Sequence, residues 1–61
     1  MDLIKIIDEN DKPHYINKEH IKEVFEREDG VTVVTYGEYY HIISTKESLE
    51  DLHKRLVLGW K

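Results

Sequence analysis

Val31-Thr32-Val33-Val34-Thr35-Tyr36-Gly37-Glu38-Tyr39-Tyr40-His41-Ile42-Ile43, followed by Ser44-Thr45-Lys46-Glu47 and a leucine-bearing run to Leu58, decides the fold of this chain. Residues 31–36 and 38–43 alternate and are rich in β-branched and aromatic side chains, the pattern of strands with one face toward a core. Gly37 between them predicts a tight turn, so residues 31–36 and 39–43 are expected to pair antiparallel. Ser44 then reads as a helix N-cap, and Glu47 three positions on completes a capping box. The helix is expected over residues 46–58, with Leu49, Leu52 and Leu56 as the stripe that docks on the sheet, continued by Leu58 or Trp60. Glu47, Glu50 and Asp51 in its first turns, and Lys54 and Arg55 in its last, match the helix dipole. Glu50 with Lys54 and Asp51 with Arg55 stand at the favourable i,i+4 spacing, and Gly59 is placed to end the helix.

Working outward, Leu3-Ile4-Lys5-Ile6-Ile7 is a β-branched run of strand length, closed by the turn formers of Asp8-Glu9-Asn10-Asp11-Lys12-Pro13. His14-Tyr15-Ile16 is the return strand of this first hairpin. Ile4 and Ile6 lie on one face of the leading strand, Leu3 and Ile7 on the other. A half-exposed strand would not need both, so either the strand is central or its second face meets another copy.

Residues 17–29 admit two readings. Ile21, Val24 and Phe25 have helical spacing, and Asn17 would cap a helix ended by Gly30. Against this, Asp29-Gly30 directly before an alternating run is a preferred two-residue hairpin turn and requires a strand before it, over residues 23–28. One helical turn at residues 18–20 followed by a strand is the favoured reading. The fold class is therefore α+β: a small antiparallel β meander of four or five strands, open or barrel-like, with one C-terminal helix, all in a single domain of residues 1–61.

A 61-residue chain buries only about 60% of the surface its unfolded form exposes, so its core is marginal and is normally reinforced. The chain has no cysteine, which excludes disulfides, thiolate metal sites and cysteine nucleophiles and fits a reducing compartment. The remaining reinforcements are a histidine-bound metal or oligomerisation, and oligomerisation is the one expected. The 13 acidic and 9 Lys or Arg residues give a net charge of −4, and no more than two basic residues are adjacent, Lys54 and Arg55. Nucleic-acid binding is therefore disfavoured, since phosphate contacts need a basic stripe. No segment approaches the ~20 apolar residues of a membrane span, and the first residues lack the layout of a signal peptide, so a cytoplasmic location is expected.

Signals for chemistry are weak. His14, His20, His41 and His53 have no metal-ligand spacing and read as polar or half-buried strand and helix residues. Asp8 and Asp11 fall in an exposed turn with no apolar pocket to raise a pKa. Ser44, Thr45 and Ser48 have capping explanations, and the three glycines, at 30, 37 and 59, form no phosphate loop. Neither catalytic residues, nor a metal, nor a cofactor are expected. Tyrosine and tryptophan are enriched at interaction hot spots, which singles out Tyr39 and Trp60. With Leu3 and Ile7 they are the candidate interface residues.

Ile16-Asn17, Ile21, Val24-Phe25-Glu26, Thr32-Val33-Val34, Gly37, Tyr40, Ile42 and Lys46-Glu47-Ser48-Leu49-Glu50 together resemble the small FlbD-type proteins of flagellar and swarming motility, and similar small phage or bacterial proteins. The resemblance covers most of the chain. It implies a bacterial, cytoplasmic, non-enzymatic accessory protein acting through protein contacts, and supplies no catalytic residues. Residues 36–56 also resemble part of the LytTR DNA-binding domain. The expected function is a small protein-interaction or regulatory module that self-associates and has another protein as a further partner. The alternatives are an oligomer that sequesters a nucleotide or small ligand between subunits, and a LytTR-like nucleic-acid-binding regulator.

Overall fold

The computed structural model describes residues 2–58, and Trp60, one of the candidate interface residues, and Gly59 lie outside them. The chain runs β1 (Leu3–Ile7), β2 (Pro13–Asn17), a single 3-10 turn (Lys18–His20), β3 (Ile21–Glu26), β4 (Thr32–Tyr36), β5 (His41–Thr45) and α1 (Leu49–Leu58). This is the expected α+β arrangement. All strand pairs are antiparallel, in a two-stranded sheet β1-β2 and a three-stranded sheet β3-β4-β5. The two sheets do not close into a barrel.

They meet at one corner. Asp8 and Thr45 form an isolated antiparallel bridge, Glu9 N–H donates to Ser44 O at 3.0 Å, and Thr45 Oγ1 donates to Ile7 O at 2.7 Å. The join places β1 beside the end of β5, so the sequence of neighbours across both sheets is β2-β1-β5-β4-β3. One side of this array is covered by α1. Ile4, Ile6, Ile16, Val34, Ile43 and Leu52 are the buried cluster, with Ile21, Val24, Tyr36 and Leu56 packed against it.

The segment after Asn17 resolves in favour of a strand. Asn17 Oδ1 accepts from Glu19 N–H at 3.0 Å, which caps only the three-residue turn before β3 begins. The β3–β4 connection is longer than the expected two-residue turn. Gly30 N–H donates to Arg27 O and Arg27 N–H to Val31 O, enclosing Glu28-Asp29-Gly30 as a three-residue loop with Gly30 at φ +88°. That left-handed position is the usual closing residue of such a loop. The same loop recurs between β1 and β2. Asp11 N–H donates to Asp8 O and Asp8 N–H to Lys12 O, with Asp11 in the left-handed position at φ +63°.

Several local expectations are corrected. Ser44 does not cap the helix, because it is paired with Val33 inside β5. The cap lies four residues later: Ser48 Oγ accepts from Asp51 N–H at 3.1 Å, and α1 starts at Leu49 rather than at residue 46. Glu47 precedes the helix and folds back on its last turn, where Arg55 donates to it through Nε at 2.9 Å and Nη2 at 2.6 Å. This bidentate pair takes the place of the expected Asp51–Arg55 pair. Glu50 and Lys54 do pair, at 3.4 Å. Tyr39 and Tyr40 likewise are not on β5. Tyr36 pairs with His41, so Gly37 to Tyr40 form a four-residue loop. Gly37 has φ +77°, and a Cβ there would also press on the His41 ring at 3.3 Å.

Thr32 is fully buried on the helix-facing side of β4, and its Oγ1 has no hydrogen-bond partner among the described residues. An unpaired buried hydroxyl costs stability that a methyl group of the same shape would not. Thr32→Val is expected to raise stability by about 1 kcal/mol, seen as a melting temperature higher by roughly 4–8 °C in a domain this small.

Candidate functional site

Strand alternation gives β4 two buried faces. Thr32 and Val34 face α1; Val33 and Thr35 face away from it, and both are buried. On the helix-free side the cross-strand registers align Phe25, Val33 and Ser44 in one row and Glu23, Thr35 and Ile42 in the next. Ile42 is 67% exposed and Phe25 38%. The floor of this face is thus closed by β4, while its two flanking strands hold apolar side chains in solvent. Ile42 and Phe25 are the apolar side chains this face leaves in solvent, beside Glu23 and Ser44 on the same two rows.

The hairpin adds a second stretch. Leu3 and Ile7, each 39% exposed, project from the side of β1 opposite Ile4 and Ile6, and Tyr15 on β2 is paired with Lys5 on that same side. At the far end of β4–β5, Tyr39 is 83% exposed in the loop and Tyr40 is held at φ +53°, a conformation uncommon for a bulky residue. Leu3 and Ile7 therefore share one face of one strand, while Tyr39 sits on a loop of the other sheet. The structure does not bring these three together on one element.

Ile42 and Phe25 were not singled out from the sequence. The adjacent pairs Val33-Val34 and Ile42-Ile43 carried the signal: in a strand, neighbouring apolar residues point to opposite faces, so one of each pair must leave the helix-facing core.

The first turn is organised by Asp8. Its Oδ1 accepts from Asn10 N–H at 2.8 Å and Lys12 N–H at 3.0 Å. Its Oδ2 lies 2.7 Å from His14 Nε2, which must be the donor, since a carboxylate can only accept. The His14 hydrogen bond, followed by the Lys12 amide, holds the Asp8 carboxyl below the ordinary carboxylate range. In the β3–β4 loop, Arg27 pairs with Asp29, whose Oδ1 also accepts from Val31 N–H at 3.1 Å. The guanidinium likewise lowers the Asp29 carboxyl. Both carboxylates have structural partners, and both serve turns.

Of the other histidines, His41 stacks at a tilt on Tyr36 with ring centroids 5.4 Å apart. Among the described residues no group of three or more His, Cys, Asp or Glu is arranged to hold a metal ion, and no helix is long and apolar enough to cross a membrane. Lys12 and Lys18 flank β2 at its two ends, roughly 17–20 Å apart at strand rise, so they do not form one basic patch.

No protein family, curated protein or solved structure matches this chain.

A carboxyl depressed by native hydrogen bonds stabilises the fold above its unfolded pKa, and that contribution is lost as pH falls through the lower native value. Asp8→Asn keeps an acceptor for the two amides but removes the charge. The variant is expected to melt below the parent at pH 7, with the gap narrowing as pH is lowered from about 5. Thermal melts across that range check it; a gap that does not change with pH would contradict the assignment.

Proposed function

We propose that this chain is a small protein-interaction module without catalysis, of bacterial or phage origin, whose copies associate over the helix-free face of the β3-β4-β5 sheet. The observation that carries the reading is the exposure of Ile42 and Phe25 above a buried Val33-Thr35 floor. One ten-residue helix covers one face of the array, and the second apolar face has no covering layer within the described residues. A second copy offering the same face is the simplest cover, because an isologous contact needs only a self-complementary patch. The resemblance to FlbD-type proteins supports an accessory role through protein contacts and the bacterial origin.

Leu3, Ile7 and Tyr15 on the hairpin extend the apolar surface and would lie at the margin of such an interface, with Tyr39 at its loop end. Aromatic and aliphatic anchors at a patch centre dominate binding energy, whereas marginal residues contribute less. Ile42 is accordingly the residue on which association should depend most.

Ile42→Lys places a charge where the side chain is already in solvent, so the fold should survive, while a facing copy would have to bury that charge. Sedimentation velocity is expected to show the parent as an oligomer and the variant as a monomer, with self-association weakened at least tenfold, about 1.4 kcal/mol. Equal association of folded parent and variant would overturn the proposed face.

A further inference from the structure

β3 is the outer strand of the three-stranded sheet, and the hydrogen bond from Arg27 N–H to Val31 O sets the phase of its ladder with β4. In an antiparallel pair, directly opposed residues alternate between bonded and non-bonded, so Arg27–Val31, Phe25–Val33 and Glu23–Thr35 exchange the backbone bonds. Val24 and Glu26 therefore turn their N–H and C=O groups to the open edge. On the helix side these two residues line an open groove of about 800 Å³ between β3 and α1, so the helix stands off the edge there. The pleat sends Glu23, Phe25 and Arg27 to the other, helix-free side, and all three are exposed.

We propose that β3 pairs antiparallel with β3 of a second copy across a two-fold axis, in the register that sets Phe25 against Phe25. This rests on the reading of the chain as a self-associating module and gives it a second contact, at the sheet edge rather than on the helix-free face. In this register Val24 of each copy lies opposite Glu26 of the other, and the edge N–H and C=O groups of both residues are satisfied in both copies. Phe25 falls on the axis as a non-bonded pair, the position where opposed side chains come closest. Glu23 lies opposite Arg27 of the other copy on the same helix-free side, and the symmetry makes this opposite-charge pair twice. Asp29 accepts from Nε and Nη2 of Arg27, which leaves Nη1 for Glu23. Just past the regular ladder, Lys22 comes level with Glu28, so each cation of the edge meets a carboxylate. The neighbouring registers fail. One sets Glu26 against Glu26, a like-charge pair. The other sets Glu23 against Phe25 and needs Lys22, the extra residue of the β3 bulge, to bond Glu26.

The edge contact is one strand wide and is the weaker of the two, so it is tested by NMR in the full chain carrying Ile42→Lys, at millimolar concentration. Hydrogen exchange at the Val24 and Glu26 amides is expected to slow as concentration rises. Glu23→Arg and Arg27→Glu should each weaken this association roughly tenfold, since each sets like charges opposite one another at two symmetric positions. An equal mixture of the two variants should regain the starting affinity, because each supplies the charge the other lacks. Glu26→Gln, opposite Val24, should not weaken it. Should Arg27→Glu disturb the β3–β4 loop, the chain's single phenylalanine tests the register with β3 unaltered: an intermolecular Overhauser contact is expected between Phe25 rings of labelled and unlabelled copies. Exchange at the two amides that does not change with concentration, a mixture that associates no more tightly than either variant alone, or a dimer without the Phe25 contact would overturn the proposal. The Ile42→Lys background keeps the two surfaces apart: loss of these signals while the parent still associates through Ile42 removes the edge and leaves the helix-free face in place.

Discussion

The constraint on which this structure depends is a shortage of cover: five strands present two faces, and among the described residues one helix of ten residues lies against them. The helix goes to the side where Ile4, Ile6, Ile16, Val34 and Ile43 converge, and Leu52 is its fully buried contribution. That choice requires the two sheets to share a side. The Asp8–Thr45 corner supplies this: Thr45 Oγ1 donates to Ile7 O and at the same time accepts from Glu47 N–H at 3.2 Å. Together with the Glu9–Ser44 backbone bond, this buried hydroxyl ties the hairpin to β5, and it shapes the chain's exit toward α1. From there the Glu47–Arg55 pair anchors the linker to the last turn of the helix.

The other face inherits what is left. Strand propensity and the pleat do not allow Val33 or Ile42 to turn inward once Val34 and Ile43 have done so, since a one-residue change of register would exchange every side chain between faces. The exposure of Ile42 is therefore a geometric consequence of the adjacent Ile42-Ile43 pair in β5. The core and the surface proposed for contact are drawn from the same few strands. The proposed association and the marginal core are in this sense one fact, because burial between copies adds apolar area that the single chain cannot bury alone.

Much of this was legible in the sequence where a local pattern had one physical solution. The alternation of residues 31–36 and the Asp29-Gly30 turn before them favoured a strand over residues 23–28 rather than a helix, and the strand runs over Ile21–Glu26; Leu49-Leu52-Leu56 marked the docking stripe. What was not legible were choices between near-equivalent local solutions. Ser44 and Ser48 both precede an acidic residue three positions on, Glu47 and Asp51, and only the pairing of Ser44 with Val33 decides between them. Tyr39 and Tyr40 have strong strand propensity, yet a four-residue loop takes them out of the sheet because Tyr36 pairs with His41. Of the interface candidates, Leu3 and Ile7 do face outward, Tyr39 is exposed on a loop, and Trp60 falls outside the described residues. Ile42 and the β3 edge needed the register, which the sequence carries only implicitly.

The most direct measurement of the central claim is methyl NMR of the isoleucine-labelled chain with a soluble paramagnetic agent, recorded over a range of protein concentrations. Ile4, Ile6, Ile16 and Ile43 lie in the buried cluster and should be shielded throughout. The Ile42 methyl is expected to be strongly attenuated in dilute protein and to become shielded as concentration rises and copies cover the helix-free face. An Ile42 methyl equally accessible at every concentration, in a chain that nonetheless oligomerises, would contradict the account.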